Sequence, residues 1–265
     1  MSLPSINNLT KKYLDKVPIV GITAYDVFMA RVVESLDFDI ILVGDSLGMV
    51  VLGYETTVPV TVEDMIHHSS AVVRGAPKSL VIVDMPFMSY QESSSKAIYN
   101  AGRILKETGA QAVKLEGGKE IASTVEKMVT AGIPVMGHLG IQPQSVHATG
   151  GYRVSEMHEL QKKKLWEDAF ALQEAGAFST VIECVKEGVA SELTKELSIP
   201  TIGIGSGRDC SGQILVVNDL LGMTTRAPFK FVKSYADLRT DISESLNAYR
   251  QDVLDGNFPT KKNAF

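Results

Sequence analysis

The chain is poor in cysteine, in clustered positive charge and in long apolar runs, and each shortage removes a class of function. Its 265 residues include two cysteines, Cys184 and Cys210, and neither belongs to a CxxC pair or a Cys/His zinc spacing. A disulfide framework or a structural metal is therefore not expected, and a reducing cytoplasm is the simplest home. A net charge of −5 without a basic cluster argues against nucleic acid as a partner, because phosphate binding depends on concentrated Lys and Arg. No run approaches the roughly 18 apolar residues that a membrane span needs, and residues 1–12 lack the apolar stretch of a signal peptide. Linkers, low-complexity segments and solenoid repeats are missing as well.

What is present is an ordinary globular composition, 45% hydrophobic and 22% charged, organised around one recurring event. The apolar run Ile41-Leu42-Val43 ends in Gly44, Asp45 and Ser46. Residues 80–83 end in Asp84, 112–115 in Glu116, 133–137 in His138 and 180–182 in Glu183. Apolar strand bodies are buried on both faces, which implies a parallel sheet covered by helices. In a closed (β/α)8 barrel of about 250 residues, catalytic groups sit at the C-terminal ends of the strands. Residues 1–265 are therefore read as one α/β domain, a (β/α)8 barrel with a C-terminal helical extension over about 234–254.

Taken in order, strands are predicted at 17–23, 39–44, 79–84, 111–116, 133–138, 179–184, 201–205 and 213–217, which makes eight β/α units. The helix after the second strand starts at Thr61, with Asp64 at N3 approximating a capping box. Residues 139–158 carry Gly140, Pro143, Gly150 and Gly151 without periodicity and read as a long functional loop or lid. Near the end, Tyr235, Leu238, Ile242, Leu246, Tyr249 and Val253 form a helical stripe that packs on the barrel or on another subunit.

Asp45, Asp84 and Glu116 are three carboxylates on neighbouring strands, and such a cluster is strained by repulsion unless a cation neutralises it. Hard oxygen ligands without thiolate favour Mg²⁺. Lys114 lies two residues before Glu116, so both face the barrel interior; it serves either a structural ion pair or an anionic substrate. Ser46 either caps the next helix or bonds substrate, and His138 is either a satisfied core histidine or a site residue. Glu183, at the end of an apolar strand, suits a general base, while Cys184 points the other way and packs behind the strand. The run Gly203 to Gly207 is either a weak phosphate-loop signal or a close-packed turn.

Several longer motifs stand in one order: TAYD at 23–26, VGDSLGMV at 43–50, VTVEDM at 60–65, DMPFMSY at 84–90, AVKLEGG at 112–118, GIPVMGHLG at 132–140, QPQS at 142–145 and PTIGIGSG at 200–207. Through them the chain resembles the ketopantoate hydroxymethyltransferase family over residues 23–235. The resemblance implies a TIM barrel of the phosphoenolpyruvate/pyruvate type. It implies that Asp45, Asp84 and Glu116 handle one Mg²⁺ per subunit, with Glu116 able to act through water. It also implies that Asp45, Ser46, Asp84 and Lys114 bind a 2-oxo acid, that His138 lines the site, and that Glu183 accepts the proton. The activity implied is transfer of a hydroxymethyl group from 5,10-methylenetetrahydrofolate to 3-methyl-2-oxobutanoate, giving 2-dehydropantoate for pantothenate and coenzyme A synthesis. A homo-oligomer is implied too, a decamer of two stacked pentamers being the commonest form in the family. The chain departs from the usual family pattern at Ser206, Ser211, Lys186 and Asn218, where members usually read Ala, Asp, Pro and His.

The residues alone leave rivals: a Mg²⁺-dependent lyase or mutase that shares the enolate and the barrel, a Schiff-base aldolase using Lys114, or a barrel that binds an oxo acid without catalysis.

Overall fold

A computed structural model describes residues 6–149, 158–225, 227 and 229–265. The loop expected at 139–158 thus falls partly outside the described residues, as does Pro228. In chain order the elements are α1 (Ile6–Leu14), β1 (Ile19–Thr23), α2 (Val27–Glu34), β2 (Ile40–Val43), α3 (Leu47–Val50), α4 (Val62–Gly75), β3 (Val81–Asp84), α5 (Ser94–Thr108), β4 (Ala112–Lys114), α6 (Lys119–Thr130), β5 (Val135–Gly140), a 3₁₀ turn (Pro143–Ser145), α7 (Val146–Thr149), α8 (Glu159–Glu174), β6 (Ser179–Glu183), α9 (Glu187–Glu196), β7 (Thr201–Ile204), β8 (Gly212–Leu215), α10 (Val217–Leu220), α11 (Leu238–Leu254) and a last 3₁₀ turn (Lys261–Asn263). The residues group into two compact units, one running to Val216 and the other Val217–Phe265.

In the first unit β1 to β8 pair in sequence order, all parallel, and β8 closes on β1, which makes the barrel. The register places Asp84 beside Lys114, Lys114 beside Met136, and His138 beside Val181. Strand alternation explains the layering. Ile40, Leu42, Leu80, Ile82, Ala112, Met136, Val181, Ile202 and Ile214 fill the barrel, and the α1 residue Leu9 joins the same cluster. Two residues further along the same strands come the polar groups: Asp84 after Ile82, Lys114 after Ala112, His138 after Met136 and Glu183 after Val181. The apolar floor and the polar mouth are one set of side chains read upward.

Helix α4 starts as expected, with Thr61 and Asp64 exchanging both capping-box bonds. Two features differ from the sequence reading. The amphipathic α1 was not anticipated; it is tied down by Tyr13 Oη donating to the Leu197 carbonyl at 2.7 Å and by a Lys12–Asp39 ion pair. Part of the aperiodic loop is ordered, because β5 runs on to Gly140 and a 3₁₀ turn and α7 follow. Residues 205–211 carry Gly205 and Gly207 at positive φ and lead directly into β8 without an intervening helix. Ser211 and Thr201 then bond reciprocally, joining the starts of β7 and β8.

In the second unit, Asp237 caps α11 through Thr240 and Tyr249 stacks edge-on against Phe258. No α11 residue is buried, and Ile242, Leu246, Tyr249 and Val253 of the predicted stripe are exposed.

Candidate active site

At the mouth of the barrel the side chains form a chain of contacts. Asp84 Oδ2 accepts the Asp45 N–H at 3.0 Å, and Lys114 Nζ stands 2.7 Å from Asp84 Oδ1 in a close ion pair whose angle is not that of a hydrogen bond. Lys114 Nζ is also 3.3 Å from His138 Nδ1, which lies 3.4 Å from Glu116 Oε1. On the other side of the ring, His138 Nε2 is 3.1 Å from Glu183 Oε2. Asp45, Asp84, Lys114, Glu116 and His138 are all buried, whereas Glu183 keeps 17% of its side chain open to solvent. Of these groups the base candidate is the one that an incoming molecule can reach.

Ser46 makes no cap bond for α3; its Oγ lies 2.8 Å from the Tyr25 hydroxyl instead. Gly44 has to be glycine here. A Cβ on it would lie 2.7 Å from Ser46 Oγ and 3.4 Å from Asp84 Oδ2, so the missing side chain is what lets hydroxyl and carboxylate share one corner. Glu183 is fixed through its backbone: Ile141 donates to its carbonyl, and Gly140, at φ 92°, passes so close that a Cβ would sit 2.1 Å from that oxygen. Cys184 follows in a left-handed conformation at φ 54° and is half-buried. Burial first, and then the Glu183 charge, push its thiol up to about 12, so it stays protonated.

The electrostatics follow from burying several charges together. Asp45 is raised well above its ordinary value by burial and then by the charges of Asp84 and Glu116, with Lys114 and Gln144 opposing. Asp84 is raised by burial, partly offset by Lys114. For Glu116 burial pushes upward, but His138, Lys114 and the Gln144 amide outweigh it and the net shift is downward. Burial and the Lys114 charge pull His138 down, yet its contacts with Glu116 and Glu183 prevail and lift it to about 9. Lys114 loses by burial and gains more from the three carboxylates, so it stays an ammonium.

Among the described residues no three His, Cys, Asp or Glu groups gather closely enough to enclose a cation unaided. Mg²⁺ does not require that, because it holds one or two carboxylates and fills the rest of its shell with water and substrate oxygens. The donor set suits this mode: adjacent hard-oxygen carboxylates at Asp45 and Asp84, both raised by burial and Asp45 further by the charges of Asp84 and Glu116, which a cation would offset, and no thiolate.

Four polar side chains that sequence reasoning passed over take part. Tyr90 accepts the Glu116 N–H at 3.1 Å, and its hydroxyl meets Gln144 Oε1 at 2.8 Å. Gln91 reaches the same oxygen at 3.3 Å, and Tyr25 holds Ser46. Tyr25, Tyr90 and Gln144 all lie inside motifs on which the family resemblance rests, which is the signal that could have found them. The Gly203 to Gly207 run makes close packing contacts. Ser206 Oγ accepts from Val185 N and donates to the Ile182 carbonyl, and a Cβ on Gly207 would meet the Glu187 side chain at 2.3 Å.

With this geometry in view, the relatives are informative. A family model described as ketopantoate hydroxymethyltransferase matches residues 4–261. A protein of Carboxydothermus hydrogenoformans named 3-methyl-2-oxobutanoate hydroxymethyltransferase is 58% identical over 93% of this chain and 90% of its own length. One of the same name from Pseudothermotoga lettingae is 54% identical, with 97% of each chain covered. The crystal structure of 2,3-dimethylmalate lyase, a PEP mutase/isocitrate lyase superfamily member, matches in fold with a TM-score of 0.63 at 16% identity, covering 100% of this chain and 92% of that one. The extent of these matches places the chain, a closed (β/α)8 barrel, in the ketopantoate hydroxymethyltransferase family.

Proposed function

We propose that this chain transfers a hydroxymethyl group from 5,10-methylenetetrahydrofolate to 3-methyl-2-oxobutanoate, giving 2-dehydropantoate and tetrahydrofolate. The observation that carries the reading is the division of the mouth into two halves: a buried carboxylate and ammonium cluster at Asp45, Asp84 and Lys114, and the accessible Glu183 beyond His138. Asp45 and Asp84 would hold one Mg²⁺ per subunit. Glu116 stands back, with its two oxygens toward His138 and the Gln144 N–H, and would act through water. When bound, the cation supplies Lewis-acid polarisation of the 2-oxo acid.

The chain's own groups do the remaining work. The Lys114 ammonium, already charged, offers its field to the substrate carboxylate, and Ser46 with Tyr25 offers hydroxyl donors at the neighbouring corner. A Glu183 oxygen removes the C3 proton. The electron pair left on C3 then forms a bond to the methylene carbon of the folate; both bonds from that carbon to folate nitrogens break in turn with their electrons going to nitrogen, water supplies the hydroxyl oxygen, and the two nitrogens take up the proton left by water and the one removed from C3. His138, held between Glu116 and Glu183, orients the base.

A Schiff-base aldolase is disfavoured by the state of Lys114, because an imine-forming lysine must lose its proton and this one is held protonated by three carboxylates. The test is turnover of 3-methyl-2-oxobutanoate with and without methylenetetrahydrofolate, with a chelator control. Folate-dependent, chelator-sensitive formation of 2-dehydropantoate is expected; cleavage or isomerisation of the oxo acid without folate would mean a lyase or mutase instead. The exposed stripe on α11 supports a homo-oligomer, with the decamer implied by the family resemblance as the form proposed.

A further inference from the structure

Gln144 has no part in the chemistry described above, yet it is 4% exposed and bonded through its backbone N–H and both side-chain polar atoms. It sits in the 3₁₀ turn after β5. Its Nε2 donates to Asp45 Oδ2 at 2.8 Å and to the Met85 carbonyl at 2.9 Å. Its backbone N–H donates to Glu116 Oε2 at 3.0 Å. Its Oε1 accepts from Tyr90 Oη at 2.8 Å and from Gln91 Nε2 at 3.3 Å. These partners fix which end of the amide is which, since a flipped side chain would set an oxygen against the Asp45 carboxylate and the Met85 carbonyl.

Two N–H groups of one residue therefore hold two of the three carboxylates from the side, through Asp45 Oδ2 and Glu116 Oε2. The opposite oxygens, Asp45 Oδ1 and Glu116 Oε1, carry no bond to Gln144. Tyr90 closes the ring by accepting the Glu116 N–H while bonding Gln144. Groups that orient metal-binding carboxylates in this way control affinity without touching the metal.

We propose that Gln144 is a positioning residue that pre-sets Asp45 and Glu116 for the divalent cation and, through the turn it occupies, ties the order of residues 141–149 to the occupancy of that cluster. The proposal rests on the metal site put forward above. It also explains why this post-β5 segment forms a turn and a short helix despite its aperiodic sequence: its anchor lies in the carboxylate cluster.

The test is Mg²⁺ titration by calorimetry on the full chain, comparing wild type with Gln144→Ala, Tyr90→Phe and Asp84→Ala. Loss of such an orienting partner typically weakens metal binding by about 10–100-fold. Gln144→Ala should fall in that range with native circular dichroism, and Tyr90→Phe, which frees the amide oxygen, should move the same way by less. In metal-dependent exchange of the substrate C3 proton, Gln144→Ala should raise the Mg²⁺ concentration for half-maximal rate and leave the rate at saturation near wild type. Hydrogen exchange of residues 141–149 should slow on Mg²⁺ binding in wild type and not in Gln144→Ala. Wild-type Mg²⁺ affinity in Gln144→Ala, with Asp84→Ala impaired, overturns the positioning role alone. Wild-type affinity in Asp84→Ala overturns the metal site beneath it. If Gln144→Ala does not fold, Tyr90→Phe with unaltered Mg²⁺ affinity and unaltered exchange at 141–149 overturns the proposal.

Discussion

At the scale of single residues, the site is a set of opposed shifts, and these give the protein a definite response to pH. Asp45 and His138 both have raised values in the folded chain, Asp45 from burial and like charge, His138 to about 9 against an ordinary 6.5. A raised group adds stability that is complete below its unfolded value and disappears as pH climbs through its folded one. The metal-free protein should therefore lose thermal stability between pH 7 and 9.5, and the loss should be smaller in His138→Gln; melting curves in chelator across that range measure it. Because Mg²⁺ competes with the proton on Asp45, whose raised value favours the protonated form, its binding should tighten as pH rises and release protons, seen as a dependence of the calorimetric heat on buffer ionisation. Heat independent of the buffer would remove Asp45 from the ligand set. The base is separable from this cluster. Glu183→Gln keeps volume and loses the proton acceptor, so substrate and Mg²⁺ should still bind while C3 exchange into D₂O falls by about 10²–10⁴-fold. Wild-type exchange in that variant would transfer the role to another group, with His138 next to be tested.

At the scale of elements, the β5–β6 junction and the start of α4 make a useful contrast. Gly140→Ala would drive a Cβ to within 2.1 Å of the Glu183 carbonyl at a backbone angle that favours glycine. It should cost about 1–3 kcal/mol in denaturant unfolding and also slow C3 exchange, because the displaced strand end carries the base. Thr61→Ala removes a capping box and should cost about 1 kcal/mol with exchange unchanged. Equal loss of exchange in both variants would mean that stability alone, not the placement of Glu183, governs the rate. Much at this scale was legible beforehand. Runs such as 80–83 announce core strands, and Thr61 with Asp64 announces a helix start, since both signals are local. Apart from their place in the family motifs, Gln144 and Tyr90 carry no local signal as site residues, because each gains its meaning from partners more than 25 positions away.

At the scale of the whole molecule, α11 presents Ile242, Leu246, Tyr249 and Val253 exposed at 46%, 63%, 57% and 45%, a row of apolar side chains of the kind that marks interaction sites. Light scattering at micromolar concentration should give several times the mass of one chain, and Leu246→Glu should reduce it; a monomer in the unmodified protein would count against the assembly. No helix among the described residues is long and apolar enough to cross a membrane. The barrel itself was the most legible feature of all, since eight strands with apolar interiors and polar ends leave few other ways to bury both faces.

Floor and mouth share side-chain parity, Ile82 with Asp84, Ala112 with Lys114, Met136 with His138 and Val181 with Glu183. These strands therefore behave like text read in steps of two. Deleting one residue from β4 inverts the message, turning Lys114 toward the surrounding helices and bringing a neighbour that was never chosen for the interior. Deleting two shortens the strand yet keeps its facing. Length variation inside these strands is therefore constrained to even steps, while the loops that follow them are free to change by any number, and a lineage exploring new chemistry on this scaffold would leave that arithmetic intact.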